Sequence, residues 1–287
     1  MLAPARSELN TLCRARSIRR VVGYRERTMP SLARISVTPV KGTVVQHPES
    51  AALTVSGIPG NRLFYIVDEW GELLSGTEFG PLVQIRADHD RADDLLTLRF
   101  PDGSEVAGAA DALGAAETTD FYGRPVASHV VEGPFAAALS AFCSRPVRLL
   151  RCDRDGDGSD VEPITVISFG SVRDLAERGG YDGELDARRF RLNLELEGCE
   201  PYEEDSWEGL QVGVGEATIE VGAQVPRCAF TTKHPDTGEK DWNTLTQIAR
   251  HRPRIRGGGG LPFGVYARVT VPGVVRVGDR VTPLAAR

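Results

Sequence analysis

The run Val225-Pro-Arg-Cys-Ala-Phe-Thr-Thr-Lys-His-Pro-Asp-Thr-Gly238 leaves a β-rich region and passes into a polar turn. It carries one cysteine, Cys228, directly after Arg227. A thiolate is a soft, polarisable ligand suited to a transition metal. A single cysteine cannot build a tetrahedral zinc site, so a metal held here must bring most of its own ligands, as an organometallic cofactor does. Judged alone, an isolated cysteine reads more readily as core packing than as chemistry. The segments around it decide between the two.

Working outward from this run, the chain reads as short strands. Residues 210–214 and 217–221 lead into it, and two final strands near 264–271 and 274–284 follow it. A helix over 243–250 and the glycine run at 257–260 lie between. Upstream, strands are expected at 34–40, 52–55, 62–68, 95–100, 147–151, 164–167 and 190–196, with turns at Asp68-Glu-Trp-Gly71 and Pro101-Asp-Gly103. Residues 108–118 read as a surface loop or short helix, and 135–142 as a helix with Pro134 at its start. Ser168-Phe-Gly-Ser171 opens another helix, which Gly179 and Gly180 stop. The expected fold is mostly β, a β-barrel core with a few peripheral helices.

The 287 residues suit one large domain or two modest ones. A formal charge of -6 argues against nucleic acid as a partner, because phosphate backbones need a basic surface. No apolar run is long enough to span a bilayer. The five cysteines, at 13, 143, 152, 199 and 228, form no CxxC pair, so neither a zinc ribbon nor a disulfide framework is indicated. A reducing cytoplasm is the simplest home. Residues 1–28 hold seven arginines and two glutamates, net +5, which leaves -11 for the remainder. This segment reads as a disordered leader or an upstream mis-start ahead of Met29. Asp153, Asp155, Asp157 and Gly158 imitate the opening of a calcium loop, but Ile164 stands where the bidentate glutamate belongs. That stretch reads as a solvated acidic loop between two regions. The histidines show no metal spacing.

Taken together, Arg188-Arg-Phe-Arg-Leu-Asn193, Tyr202-Glu-Glu-Asp-Ser-Trp207, Pro226-Arg-Cys228, Thr231-Thr232 and Asp236-Thr-Gly238 resemble the MOSC family, named for the C-terminal domain of molybdenum cofactor sulfurase. Pro39-Val-Lys41, Gly60-Asn-Arg62 and Val67-Asp-Glu-Trp-Gly71 are similar to the β-barrel domain that precedes it in many members, and Phe263-Gly-Val-Tyr266 and Val277-Gly-Asp279 fit the same pattern. The resemblance covers about residues 32–284 and is nearest to amidoxime-reducing proteins. It implies an N-terminal barrel domain over 29–150 and a molybdenum-cofactor domain over 151–287.

A pyranopterin cofactor presents a phosphate, a polar ring system and a dithiolene-held metal. Arg191 and Asn193 lie two apart and would share one face of a strand, and an arginine fork matches phosphate oxygens. Ser168 and Ser171 precede a helix, where free N–H groups attract an anion. The resemblance implies cofactor contacts at Lys41, Arg62, Ser168, Ser171, Arg191, Asn193, Arg227 and Tyr266, with Cys228 as catalytic metal ligand. Gly42, Leu192 and Asn61 depart from its usual serine, proline and aspartate. The implied activity is molybdenum-dependent reduction of small N-hydroxylated compounds, amidoximes and hydroxylamines, by oxygen-atom transfer. Electrons would come from a separate redox protein, since no iron–sulfur ligand set follows Cys228. The alternative is a carrier of the cofactor or its sulfur with no turnover of its own.

Overall fold

A computed structural model describes residues 29–255 and 259–284. The reading of residues 1–28 as a leader, and part of the 257–260 loop, lie outside the described residues. The chain runs through β1 (Ser31–Ile35), β2 (Ser50–Leu53), β3 (Phe64–Asp68), β4 (Arg86–Asp90), β5 (Leu95–Arg99), β6 (Glu105–Ala109), β7 (Leu113–Phe121) and β8 (Arg124–Val131). Helix α1 (Phe135–Cys143) and β9 (Val147–Cys152) follow. β10 (Ile164–Ser168) enters α2 (Phe169–Gly179), then come β11 (Leu194–Glu197), β12 (Gln211–Val214) and β13 (Ala217–Arg227). Helix α3 (Thr244–His251), β14 (Leu261–Val271), β15 (Gly273–Arg276) and β16 (Val281–Pro283) complete it.

Seven strands form one sheet in the order β1-β11-β10-β14-β13-β12-β16. Its two edges nearly meet: Leu32 N donates to Asp279 O and Val281 N to Pro30 O, each at 2.8 Å. Closing the sheet into a barrel satisfies edge groups that would otherwise be open to pairing. Inward-facing Leu32, Ile35, Leu194, Val212 and Val265 are fully buried, each stabilising by about 1.5–3 kcal/mol. A second body packs β3-β9-β8-β7 and β4-β5-β6 with α1 around Phe64, Tyr65, Leu98, Phe135 and Leu150. The mostly β expectation therefore holds. In space, β1 and β2 sit with the barrel, because β1 pairs with β11 and β2 with β15. No helix among the described residues is long and apolar enough to cross a membrane.

Helix boundaries follow local chemistry. Ser168 caps α2 by accepting from Ser171 N, and Gly180, at φ 63°, ends it in the left-handed conformation. Asn243 caps α3. Two expectations need correction. Residues 108–118 are mostly strand, the end of β6 and most of β7, with only 110–112 as the turn between them. Their small residues serve packing: a Cβ on Gly108 would meet the Phe135 ring at 3.2 Å, a tight contact that the glycine relieves where α1 lies on β6. The strand expected at 190–196 starts at Leu194, since Ala187–Phe190 forms a 3-10 turn that Arg191 ends at φ 55°.

Candidate functional site

A narrow cleft of about 80 Å³ opens between the two bodies. Lys41, Arg62, Arg191, Asn193, Arg227, Cys228 and Tyr266 all line it, although they come from five segments of the chain. Lys41 leaves the loop after β1 and is buried. Its ammonium donates to Gly158 O at 3.0 Å and to Asp160 Oδ1 at 2.5 Å. Burial lowers the Lys41 pKa, partly offset by the Asp160 charge. Burial pushes Asp160 up, yet Lys41 and Arg62 outweigh it and hold that carboxyl at about 2. Lys41 and Asp160 therefore neutralise each other.

Of the three guanidiniums, only Arg62 has a carboxylate within ion-pair range among the described residues. Arg62 donates through Nη2 to Arg191 O at 2.8 Å and stays 3.8 Å from Asp160. Arg191 donates to Thr43 O at 2.7 Å and lies over the Phe230 ring at 5.1 Å. Burial and the Arg62 charge push Arg191 well below the usual guanidinium range. Arg227 donates to Phe190 O at 2.5 Å, while its buried Nε has no partner. Burial lowers its pKa too. Each guanidinium has five donors, and the carbonyls occupy few of them. Arg62 and Arg191 also hold left-handed backbone, φ 54° and 55°, a strained state for residues with a Cβ. A half-buried cluster of cations with spare donors suits a polyanion.

Cys228 directly follows β13 and precedes the 3-10 turn Ala229–Thr232, where its carbonyl accepts from Thr231 N and Oγ1. It is exposed, whereas Cys143, Cys152 and Cys199 are buried. Burial raises Cys143 to about 11 and Cys152 to about 12, which leaves both as inert thiols at neutral pH. The cysteine turn is fixed from across the cleft. A Cβ on Gly76 would overlap the Phe230 ring at 2.1 Å, and Gly80 and Gly238 approach so closely that a Cβ on either meets the other's carbonyl oxygen at 2.0–2.1 Å. Thr77 Oγ1, on the same segment, lies 3.9 Å from Cys228 Sγ. Tyr266, on β14 opposite Thr165, has its pKa raised to about 12 by burial and so remains a hydroxyl donor.

Ser168 and Ser171 are not part of this cleft, which corrects the expectation for them. Both are fully buried. Ser168 Oγ meets Ser171 Oγ at 2.8 Å, and Glu204 Oε1 accepts from Ser171 Oγ at 2.7 Å and Ser168 N at 3.2 Å. A carboxylate already occupies the start of α2. Asn193 lines the cleft, yet its side chain serves the fold, accepting from Thr165 Oγ1 and donating to Ser36 O. Gly42 sits at φ 94°, a conformation that disfavours the serine usual in the resembled family.

Asp160, Tyr122, Thr77 and Phe230 line the cleft without having been singled out from sequence. The acidic loop was the available signal for Asp160, and reading all of it as solvated is corrected here. Gly158 and Ser159 are buried, a Cβ on Gly158 would strike Arg62 O at 1.8 Å, and Arg124 clasps Asp157 O and Ser159 O at 2.7 and 2.5 Å.

Two family models match the chain: the MOSC domain over residues 153–282 and the MOSC N-terminal beta barrel domain over residues 29–142. The chain is 27% identical over 284 residues to mitochondrial amidoxime-reducing component 1 of Mus musculus, covering 88% of this chain and 81% of that protein. The Homo sapiens component 1 is 25% identical over 280 residues, covering 88% and 82%. Molybdenum cofactor sulfurase of Anopheles gambiae is 29% identical over 280 residues, 85% of this chain but 35% of the sulfurase.

Proposed function

The chain belongs to the MOSC-domain family, and on that premise we propose that it is a molybdenum-cofactor-dependent reductase of N-hydroxylated compounds such as amidoximes and hydroxylamines. The observation that carries this reading is the cleft itself. Three guanidiniums with spare donors, one of them with an unpartnered buried Nε, share it with an exposed thiol. That donor set fits a cofactor with a phosphate at one end and a metal at the other.

Arg62, Arg191 and Arg227 would hold the anionic end, with Tyr266 donating to polar ring atoms and Cys228 as the protein's ligand to molybdenum. Lys41, neutralised by Asp160, fixes the interdomain loop against the cleft wall, and Asp160 also lies within ion-pair range of Arg62, which leaves Arg191 and Arg227 as the less compensated positive charge. When bound, the cofactor supplies two-electron oxygen-atom transfer. Reducing one N–OH group consumes two electrons and two protons and releases water. A separate redox protein would deliver the electrons. An exposed thiol stays reduced most readily in the cytoplasm, which is the compartment we propose, in contrast to the mitochondrial relatives. Cell fractionation checks it.

A second reading, a carrier of the cofactor or its sulfur, is favoured by the exposure of Cys228, whose sulfur a second protein could reach. The name of the mosquito relative points the same way. The deciding experiment purifies wild type and Cys228→Ala from a host that makes the cofactor. Molybdenum is measured, and amidoxime reduction is assayed with a chemical reductant. Near one molybdenum per chain with turnover in the wild type only supports the reductase. Molybdenum without turnover, but transferable to an apo-molybdoenzyme, supports the carrier. Absence of metal, from a host that loads a control molybdoenzyme, sinks both.

A further inference from the structure

The cleft carries a tyrosine at a place where local backbone physics disfavours one. Phe121 and Arg124 pair as the last register of the β7–β8 hairpin, which leaves Tyr122 and Gly123 as its two-residue turn. Both have positive φ, 55° and 91°, as a type I′ turn requires. Asn-Gly is the favoured sequence there, because left-handed backbone crowds a Cβ and a short polar side chain tolerates it best. A bulky ring is held in that position against preference.

Non-glycine residues in left-handed backbone collect at functional sites. Six are found among the described residues, and Tyr122 shares the cleft with two of the others, Arg62 and Arg191. The ring is not there to fill the core. Tyr122 is 71% exposed, while its neighbour Phe121 is buried and carries the packing of the hairpin. Tyr122 lines the same cleft as Cys228 and Asp160. An exposed, strained aromatic in the same cleft as the candidate metal ligand has a flat face and a hydroxyl to offer an incoming molecule.

We propose that Tyr122 contacts substrate and gives this site a preference for N-hydroxylated compounds bearing an aromatic or other flat substituent. The proposal rests on the reductase reading for the reacting group, but not for the role of the ring.

The test uses the molybdenum-loaded protein and the variants Tyr122→Asn and Tyr122→Phe. KM is compared for benzamidoxime and acetamidoxime, which differ by a ring against a methyl group. Calorimetric binding of benzamidine, which has no N–O bond to reduce, is measured alongside thermal unfolding. Asparagine suits the turn, so Tyr122→Asn is expected to leave Tm unchanged or raised. It should raise KM for benzamidoxime about 3- to 10-fold relative to acetamidoxime and weaken benzamidine equally, the worth of one aromatic contact. Tyr122→Phe keeps the ring and should keep the preference. If Tyr122→Asn leaves the KM ratio and benzamidine affinity intact, or lowers Tm with no other change, the tyrosine is structural and the proposal is overturned. Should the wild type reduce neither amidoxime while Tyr122→Asn still weakens benzamidine, the reductase reading fails and the contact stands. Turnover of both amidoximes with an unchanged ratio in the variant has the reverse meaning.

Discussion

The interdomain cleft and the start of α2 both read as anion sites in the sequence, one through arginines and one through helix-capping serines. In the cleft, three guanidiniums donate to carbonyls and retain free donors, with one carboxylate already matched to Lys41. At α2, the serine hydroxyls and the Ser168 N–H converge on Glu204, which is 1% exposed. The cleft has donors to spare, whereas the helix start has already consumed its donors inside the fold. An anion site is defined by donors left over, not by donors present.

The sharpest break in this comparison comes from Cys228→Ala. Turnover should vanish while Tm moves little, because the thiol is exposed and makes few packing contacts. Retained activity under saturating reductant would remove Cys228 as the metal ligand. Next in size is Arg191→Ala. Charge-assisted donors contribute about 1.5–3 kcal/mol each, so molybdenum retention through dialysis should fall about 10- to 100-fold. Unchanged retention would mean that Arg191 faces water rather than a ligand.

Asp160→Asn acts on stability instead. It strands the Lys41 ammonium and should cost about 2–3 kcal/mol in urea unfolding, the lower side of a buried pair because Asp160 is itself open to the cleft. Its pH signature is specific. The folded-state pKa, about 2, lies below the ordinary 3.8, so the contribution is complete above about pH 4 and is lost as pH falls toward 2. The variant should lack that acid-side loss.

Ser168→Ala is the smallest change, about 1 kcal/mol for a lost helix cap, with molybdenum retention unaltered. A drop in retention would reopen the start of α2 as a ligand site. Glu204→Gln sharpens the contrast with Asp160 from the other direction. Burial raises the Glu204 pKa, so folded protein keeps that proton longer and loses stability as pH rises from about 4.5 through the folded value. Glutamine should abolish this fall, and an identical profile in the two proteins would mean that Glu204 is not held protonated.

Much of the architecture was legible locally. Pro134 before α1, Gly180 after α2 and Asn243 before α3 are capping signals that need no tertiary information. The strand at 113–121 was hidden because its alanines, glycine and threonines report close packing and exposed pairing rather than an apolar face. Arg227 and Cys228 were legible as a pair because they are neighbours in the chain. The pairing of Asp160 was hidden because its partner, Lys41, lies 119 residues away. Tyr122 left one faint trace, an aromatic before a glycine at a hairpin turn.

Residue order alone determined the β-rich class, the family, the helix ends and the lone cysteine after Arg227, because hydrophobic period, capping and motif spacing act over a few residues. Only the tertiary structure decided which cations share a cleft, which acid cancels Lys41 and which serines are closed off by Glu204. Charge pairing and burial depend on distances between segments far apart in sequence, and those distances exist only once the barrel has closed and the second body has packed against it.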